Sequence, residues 1–279
     1  SARAARGTFP WLMDLLRENS PHGLVLKPKS GSQGSDTFRV RNQLELEQAW
    51  IKLLSNQSRD FVACPFLHLV SEWRCVFLDG TMRLCFQKTP AQVVGNGKQT
   101  LAELVRDYER DVIKGGKVRI GDWAAGGSGG SKVRRTNTSL SRVVGDGELV
   151  QLDWCHNLSR GARADKNVPE AVLARLESLG LRTMRALSLR FASVDICAVA
   201  NNLSGDGGGS GGDDGGGNGG GNDSSSNIDM LVLEVNSNVN TNGYLTQNPE
   251  DWNLVRDIYK DAVLCHFRTQ AARVIADAL

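Results

Sequence analysis

Three oxygen-bearing side chains are placed where they could do chemistry: Asp195, Glu234 and Asn236. Asp195 lies in the run Ser193-Val194-Asp195-Ile196-Cys197, and the other two in Leu231-Val232-Leu233-Glu234-Val235-Asn236. Both runs are short, apolar and β-branched, and each carries polar groups where a buried strand should have none. Alternate side chains of an extended chain share a face, so Glu234 and Asn236 point the same way. If the two runs pair as a hairpin, Asp195 joins them and three oxygen ligands converge on one patch. Hard divalent cations want that set, and Mg²⁺ completes its shell with water and nucleotide phosphates. The competing reading is an exposed strand end with solvated polar tips.

The totals describe the body that must position these groups. A chain of 279 residues can build one large or two modest domains, and 40% apolar with 23% charged content is that of a globular protein. A formal net charge of +2 is too small to point to nucleic acid or an acidic membrane surface. No apolar run approaches the roughly 20 residues that span a bilayer. The six cysteines include no Cys-x-x-Cys pair, and most sit in apolar, strand-like runs. That is the pattern of reduced, buried thiols, and it predicts a reducing compartment, the cytoplasm first, with an organelle as the alternative. The four histidines are too scattered for a metal cluster.

Periodicity then supplies the elements. Phe9 to Asn19, Leu44 to Leu54, Thr100 to Tyr108, Val168 to Leu187 and Asp251 to Leu279 carry apolar residues at helical spacing, the fourth broken near Gly180. Leu24 to Pro28 and Phe38 to Val40 read as a hairpin with Ser30-Gly31-Ser32-Gln33-Gly34 at its tip. Asp79-Gly80 between Arg74–Leu78 and Arg83–Gln87 is the strongest short hairpin signal. Val143-Val144 and Leu149 to Leu152, flanking Gly145-Asp146-Gly147, read as another. Residues 115–142 read as a glycine-rich basic loop, with a mobile lid as the alternative. Residues 203–227 are nearly pure Gly, Asp, Asn and Ser, and are expected to be a disordered insertion between the two strands of the candidate site.

Taken in order, these stretches resemble the ATP-grasp superfamily from Leu24 onward. Val25-Leu26-Lys27-Pro28-x-x-Gly31-Ser32-Gln33-Gly34 resembles its lysine strand and glycine-rich phosphate loop. Ser71-Glu72-Trp73-Arg74 resembles its Glu-aromatic-Arg strand. Val93-Val94-Gly95-Asn96-Gly97-Lys98-Gln99-Thr100-Leu101 is similar to a stretch of the cyanophycin synthetase and bifunctional glutathione synthetase type. Asn157-Leu158-Ser159-Arg160-Gly161 is similar to the Asn-Leu-Ser-x-Gly-Gly of those enzymes and to a motif of the ligase that glutamylates a ribosomal protein. Asp195 with Glu234-x-Asn236 matches the family's metal site.

The resemblance implies an α+β fold of two α/β subdomains with mainly antiparallel sheets gripping a nucleotide, residues 1–66 forming the small subdomain and 67–279 the large one. It implies ATP and Mg²⁺ (or Mn²⁺) as cofactors, with Asp195, Glu234 and Asn236 as metal ligands. Lys27 is then a point charge for the phosphates. The backbone of Gly31, Ser32, Gln33 and Gly34 folds over them, glycine permitting close approach. Cys64 and Phe66 lie in the hinge Ala63-Cys64-Pro65-Phe66, where adenine is held by backbone groups. The implied reaction joins a small carboxylate to an amine or amino acid through an acylphosphate. Arg160 is the candidate oxyanion stabiliser, supported by Asn157, and Arg74 the contact to phosphate or acylphosphate.

Three departures bear on the substrate. The hinge lacks the family's acidic ribose contact. The family's Glu-Val-Asn-x-x-Pro-Gly is Glu234-Val235-Asn236-Ser237-Asn238-Val239-Asn240 here. An upstream lysine and the front N-terminal domain are missing, to be supplied by a longer chain or an oligomer partner. Two other readings stay open. One is an ATP-grasp kinase acting on a hydroxyl, with Lys132, Arg134, Arg135 and Arg142 as its basic pocket. The other is a binding module that kept the fold and lost turnover.

Overall fold

The computed structural model describes residues 2–29, 36–55, 60–114, 118, 140–200 and 228–277. The Gly31–Gly34 loop, most of the 115–142 segment including Lys132, Arg134 and Arg135, and the insertion expected at 203–227 lie outside the described residues. In chain order the elements are α1 (Ala2–Glu18), β1 (Leu24–Pro28), β2 (Phe38–Val40), α2 (Gln43–Ser55), β3 (Phe61–Pro65), β4 (Leu69–Leu78), β5 (Thr81–Thr89), β6 (Gln92–Val94), α3 (Leu101–Asp111), β7 (Leu149–Gln151), β8 (Arg163–Asp165), α4 (Glu170–Ala186), β9 (Phe191–Ala200), β10 (Ile228–Asn236), α5 (Asn242–Gln247) and α6 (Trp252–Asp277). The class is α+β, and β1–β2, β1–β3, β4–β9, β9–β10 and β6–β7 all pair antiparallel. No helix among the described residues is long and apolar enough to cross a membrane.

The chain divides into two compact units, and each gathers three separate stretches: 1–67, 88–165 and 240–257 in the first, 68–87, 166–239 and 258–279 in the second.

In the first unit β1 sits between β2 and β3. Leu24, Leu26 and Val40 face one side and pack with Leu12, Leu16, Leu46, Ala49 and Leu53. The period of two along β1 and of roughly four along the helices brings these together. A second core gathers Val93, Leu101, Leu104, Val105, Tyr108, Val144 and Leu152. Helix α3 opens on a reciprocal cap: Thr100 accepts from the Glu103 amide, and the Glu103 carboxylate accepts from the Thr100 amide. The expected hairpin between Val143-Val144 and Leu149–Leu152 does not form. β7 pairs with β6, and Val143 bridges to Thr100. Gly145-Asp146-Gly147 does turn the chain, but it turns it onto Gly95, whose carbonyl accepts from the Gly147 amide at 3.0 Å. Turn chemistry fixed the reversal and left the partners of the flanks open.

In the second unit the strands run β10-β9-β4-β5. Trp73, Cys75, Phe77, Val194, Ile196 and Ala198 face α4 and pack against Leu176 and Met184. The expected break near Gly180 does not occur. A Cβ there would stand 2.2 Å from the Phe77 ring, so glycine serves the close approach of helix and sheet. The opposite face of the same strands carries the polar groups.

Candidate functional site

Strand β9 is the axis of the site. Asp195 is directly opposite Glu234 on β10 and directly opposite Arg74 on β4. Opposed residues of an antiparallel ladder point to the same face, so these three side chains form one row across three strands. The next row pairs Ser193 with Asn236. Glu72, two residues before Arg74, is opposite Cys197 and buried. Asp195, Glu234 and Asn236 therefore share a face, as the strand reading requires.

A bulge makes this possible. Val232 is paired with Ile196, and the register then shifts so that Glu234, rather than Leu233, meets Asp195. In an unbroken ladder Glu234 would fall opposite Val194, on the face that packs against α4. The inserted residue re-aims it outward. Exposure follows the same step: Leu233 and Glu234 are both exposed in succession, between half-buried Val232 and Val235.

Electrostatically the row is acid-rich. Arg74 Nε donates to Asp195 Oδ1 and Nη2 to Oδ2, each at 2.7 Å, a bidentate pair with the carboxylate only 5% exposed. Burial pulls the Arg74 guanidinium down, but the bond to Asp195 and the charges of Asp195, Glu234 and Glu72 outweigh it and raise it. The guanidinium thus feels the charge of three carboxylates. Ser193 Oγ, on the same face, is buried with no hydrogen-bond partner among the described residues. No group of three or more His, Cys, Asp or Glu that could hold a metal occurs among the described residues. The set here reaches three donors only through the Asn236 amide. Two carboxylates and an amide oxygen fit a hard divalent cation that keeps water or phosphate oxygens in its shell.

The first unit holds the remaining candidates. Lys27 faces away from the core with Val25, beside Val62 and Cys64. The Cys64 thiol reaches the Val25 carbonyl at 3.8 Å, and burial pushes it up against the opposing charge of Lys27. Phe66 packs edge-on against Trp154, centroids 5.6 Å apart. Arg160 lies in a short 3-10 turn (Leu158–Arg160) closed by Gly161 at φ +97°, a conformation that favours glycine. The Asn157 side-chain oxygen accepts from the Ser159 amide at 3.0 Å and its hydroxyl at 2.9 Å, fixing the start of the turn. Arg160 itself is held by Asp153: Nε donates to Oδ2 at 2.6 Å and Nη2 to Oδ1 at 3.1 Å, with side chains 7% and 0% exposed. Arg142 is engaged by both oxygens of Glu148 at 2.9 Å.

Several residues escaped the sequence reading. Asp153 gave no local signal, because its partner is recognised only in the folded turn. Lys88 is buried, in line with Leu84 and Phe86 along β5. A cation continuing a buried alternation was the signal available. His156 Nδ1 donates to the Lys88 carbonyl at 2.9 Å, and burial, reinforced by the Lys88 charge, pushes the imidazole down to about 4.

No protein-family model matches the chain. Its sequence is 27% identical over 207 residues to the cyanophycin synthetase of Trichormus variabilis, covering 68% of this chain and 22% of that protein. The cyanophycin synthetase of Geminocystis herdmanii is 22% identical over 197 residues, covering 66% and 21%. The chain thus spans about a fifth of the length of these curated relatives. Among solved structures, D-alanine–D-alanine ligase from Bacillus anthracis overlaps at a TM-score of 0.39 and 14% identity, covering 80% of this chain and 46% of that one. The bifunctional glutathione synthetase from Pasteurella multocida overlaps at 0.34 and 19%, covering 67% and 26%. The kinship rests on the sequence relatives, since these superpositions are slight. The curated relatives are of the ATP-grasp superfamily.

Proposed function

We propose that this ATP-grasp homologue is an ATP-dependent carboxylate–amine ligase, forming an amide or peptide bond through an acylphosphate with release of ADP. The observation that carries the reading is the row Arg74–Asp195–Glu234 with Asn236 beside it, on the face of the sheet turned away from α4. Asp195, Glu234 and Asn236 would hold Mg²⁺ or Mn²⁺, which would supply positive charge to the nucleotide phosphates. The chain's own residues do the rest. Lys27 supplies a point charge to the phosphates, and the hinge backbone at Cys64 and Phe66 holds the base. Arg74 holds the phosphorylated carboxylate.

Arg160 is the fixed cation for the oxyanion. Its guanidinium plane is locked by Asp153 and its turn by Asn157, and a donor that need not reorganise is what a developing oxyanion requires. The whole protein's acid and amine are small molecules of carboxylate and amino-acid type.

Incubation with ATP, Mg²⁺ and panels of carboxylates and amines is the test. ADP and phosphate should appear together, and only when acid and amine are both present. Glu234→Gln should abolish that release while leaving the fold intact. A stable phosphate ester without free phosphate would transfer the site to a kinase, and absence of nucleotide binding at millimolar ATP would remove the reading altogether.

A further inference from the structure

Arg39 is a half-buried cation with no hydrogen bond or ion pair to a carboxylate among the described residues. It lies on β2 directly opposite Val25, and Val25 is in turn opposite Cys64 on β3. Arg39, Val25 and Cys64 therefore form one row on the face turned away from the α1–α2 core, and Lys27 stands two residues along on that same face. The guanidinium carbon sits 3.5 Å from the centroid of the Phe66 ring. Its hydrogen bond is a long one, Nη2 to the His22 carbonyl at 3.3 Å, and its Nε is buried with no partner among the described residues. Glu45, an acid whose charge reaches Arg39, is bonded instead to Arg41: that residue's amide, Nε and Nη2 all donate to its carboxylate, at 2.9, 3.1 and 2.6 Å.

We infer that Arg39 is a nucleotide-contacting residue, which together with Lys27 forms a two-cation cradle for the polyphosphate of the bound nucleotide. This rests on the ATP site proposed above. Two like charges on one sheet face, with no acid assigned to Arg39, are unfavourable unless an anion arrives. Burial and the charge of Arg41 hold Arg39 down to about 10, outweighing the opposing charge of Glu45. It remains charged at neutral pH. The Phe66 ring keeps the guanidinium flat, so its in-plane N–H donors are pre-set for phosphate oxygens at little entropic cost. The hinge residue Phe66 thereby acts on the phosphates as well as on the base, through Arg39.

The experiment is calorimetric titration of the full chain with ATP, inorganic tripolyphosphate and adenosine. Wild type, Arg39→Gln and Arg39→Lys are compared, with the thermal midpoint of each recorded. Arg39→Gln should raise the Kd for ATP and tripolyphosphate by about tenfold and leave adenosine unchanged, which is about 1.4 kcal/mol per tenfold. Arg39→Lys, which keeps the charge and loses the planar fork, should fall between. Wild-type binding of ATP with an unaltered Arg39→Gln affinity would overturn this assignment and leave the ligase reading standing. Parallel loss of adenosine and ATP would overturn it as well, since a collapsed hinge acts on both. Failure of wild type to bind either ATP or tripolyphosphate would remove the nucleotide site itself.

Discussion

Two arginine–aspartate pairs of similar geometry, one in each unit, do opposite things with their charge. Arg160–Asp153 is closed: its side chains are 7% and 0% exposed, and a tight turn holds it. Arg74–Asp195 is as short, but its arginine is 21% exposed and also feels Glu234 and Glu72. The first pair is buried on both sides, and the second has the negative charges of Glu234 and Glu72 beside it. A balanced buried pair fixes a shape, whereas an acid-rich one on an open sheet face keeps attraction in reserve for a further cation. Burial pushes the Asp153 carboxyl up in spite of Arg160, so even the closed pair does not fully recover its desolvation.

That difference predicts the largest effect first. Asp153→Asn leaves Arg160 buried without its counter-charge and should cost about 3–5 kcal/mol of stability, read by urea unfolding. Replacing both partners, Asp153→Leu with Arg160→Met, should restore most of the stability, while ligase activity stays lost if Arg160 serves the oxyanion. A double variant no more stable than Asp153→Asn would show that the pair is not the closed unit its burial suggests.

The cost of burial in the same unit should also appear as a pH dependence through His156. Its folded value of about 4 lies below the ordinary 6.5. Above pH 6.5 both states are neutral and the residue contributes nothing to the slope. Between 6.5 and 4 the unfolded chain takes a proton that the folded one refuses, so stability falls with pH by about 3 kcal/mol in all. Stability curves of wild type and His156→Gln should therefore diverge over that window and run parallel above it. Parallel curves throughout would mean that His156 is solvated.

How much of this was legible in the sequence follows from the range of each signal. The period of two along a strand is local, and with Glu-x-Asn it sufficed to place Glu234 and Asn236 on one face, while Asp195 joined them only on the condition that the two runs pair. It did not contain the bulge, which depends on how β10 registers against β9. Arg74 was visible as a motif residue, but its tie to Asp195 joins positions 121 residues apart. Arg39 lies in a three-residue strand, too short for periodicity to mark its face. Gly180 read as a helix breaker because glycine has no side chain, and the same property lets Phe77 approach the helix. Local chemistry was readable, and the choice of partners was not.

The smallest effect separates the two pairs most sharply. Arg74 occupies both oxygens of Asp195, at 2.7 Å each, and a divalent cation at this site needs one of them. Arginine and metal therefore compete for Asp195, and removing the arginine takes a positive charge from beside both carboxylates. Arg74→Gln should bind Mn²⁺ about tenfold more tightly than wild type in the absence of nucleotide, about 1.4 kcal/mol, even as it lowers turnover. Free Mn²⁺ counted by electron paramagnetic resonance during a titration measures this without reference to activity, and added salt should narrow the gap as it screens the exposed Glu234. Had Arg74 instead served only to orient Asp195, its loss would weaken Mn²⁺ binding, as removal of an outer-shell partner does. Weaker binding would make Arg74–Asp195 a second closed pair, and the contrast between the two units would reduce to a difference in exposure.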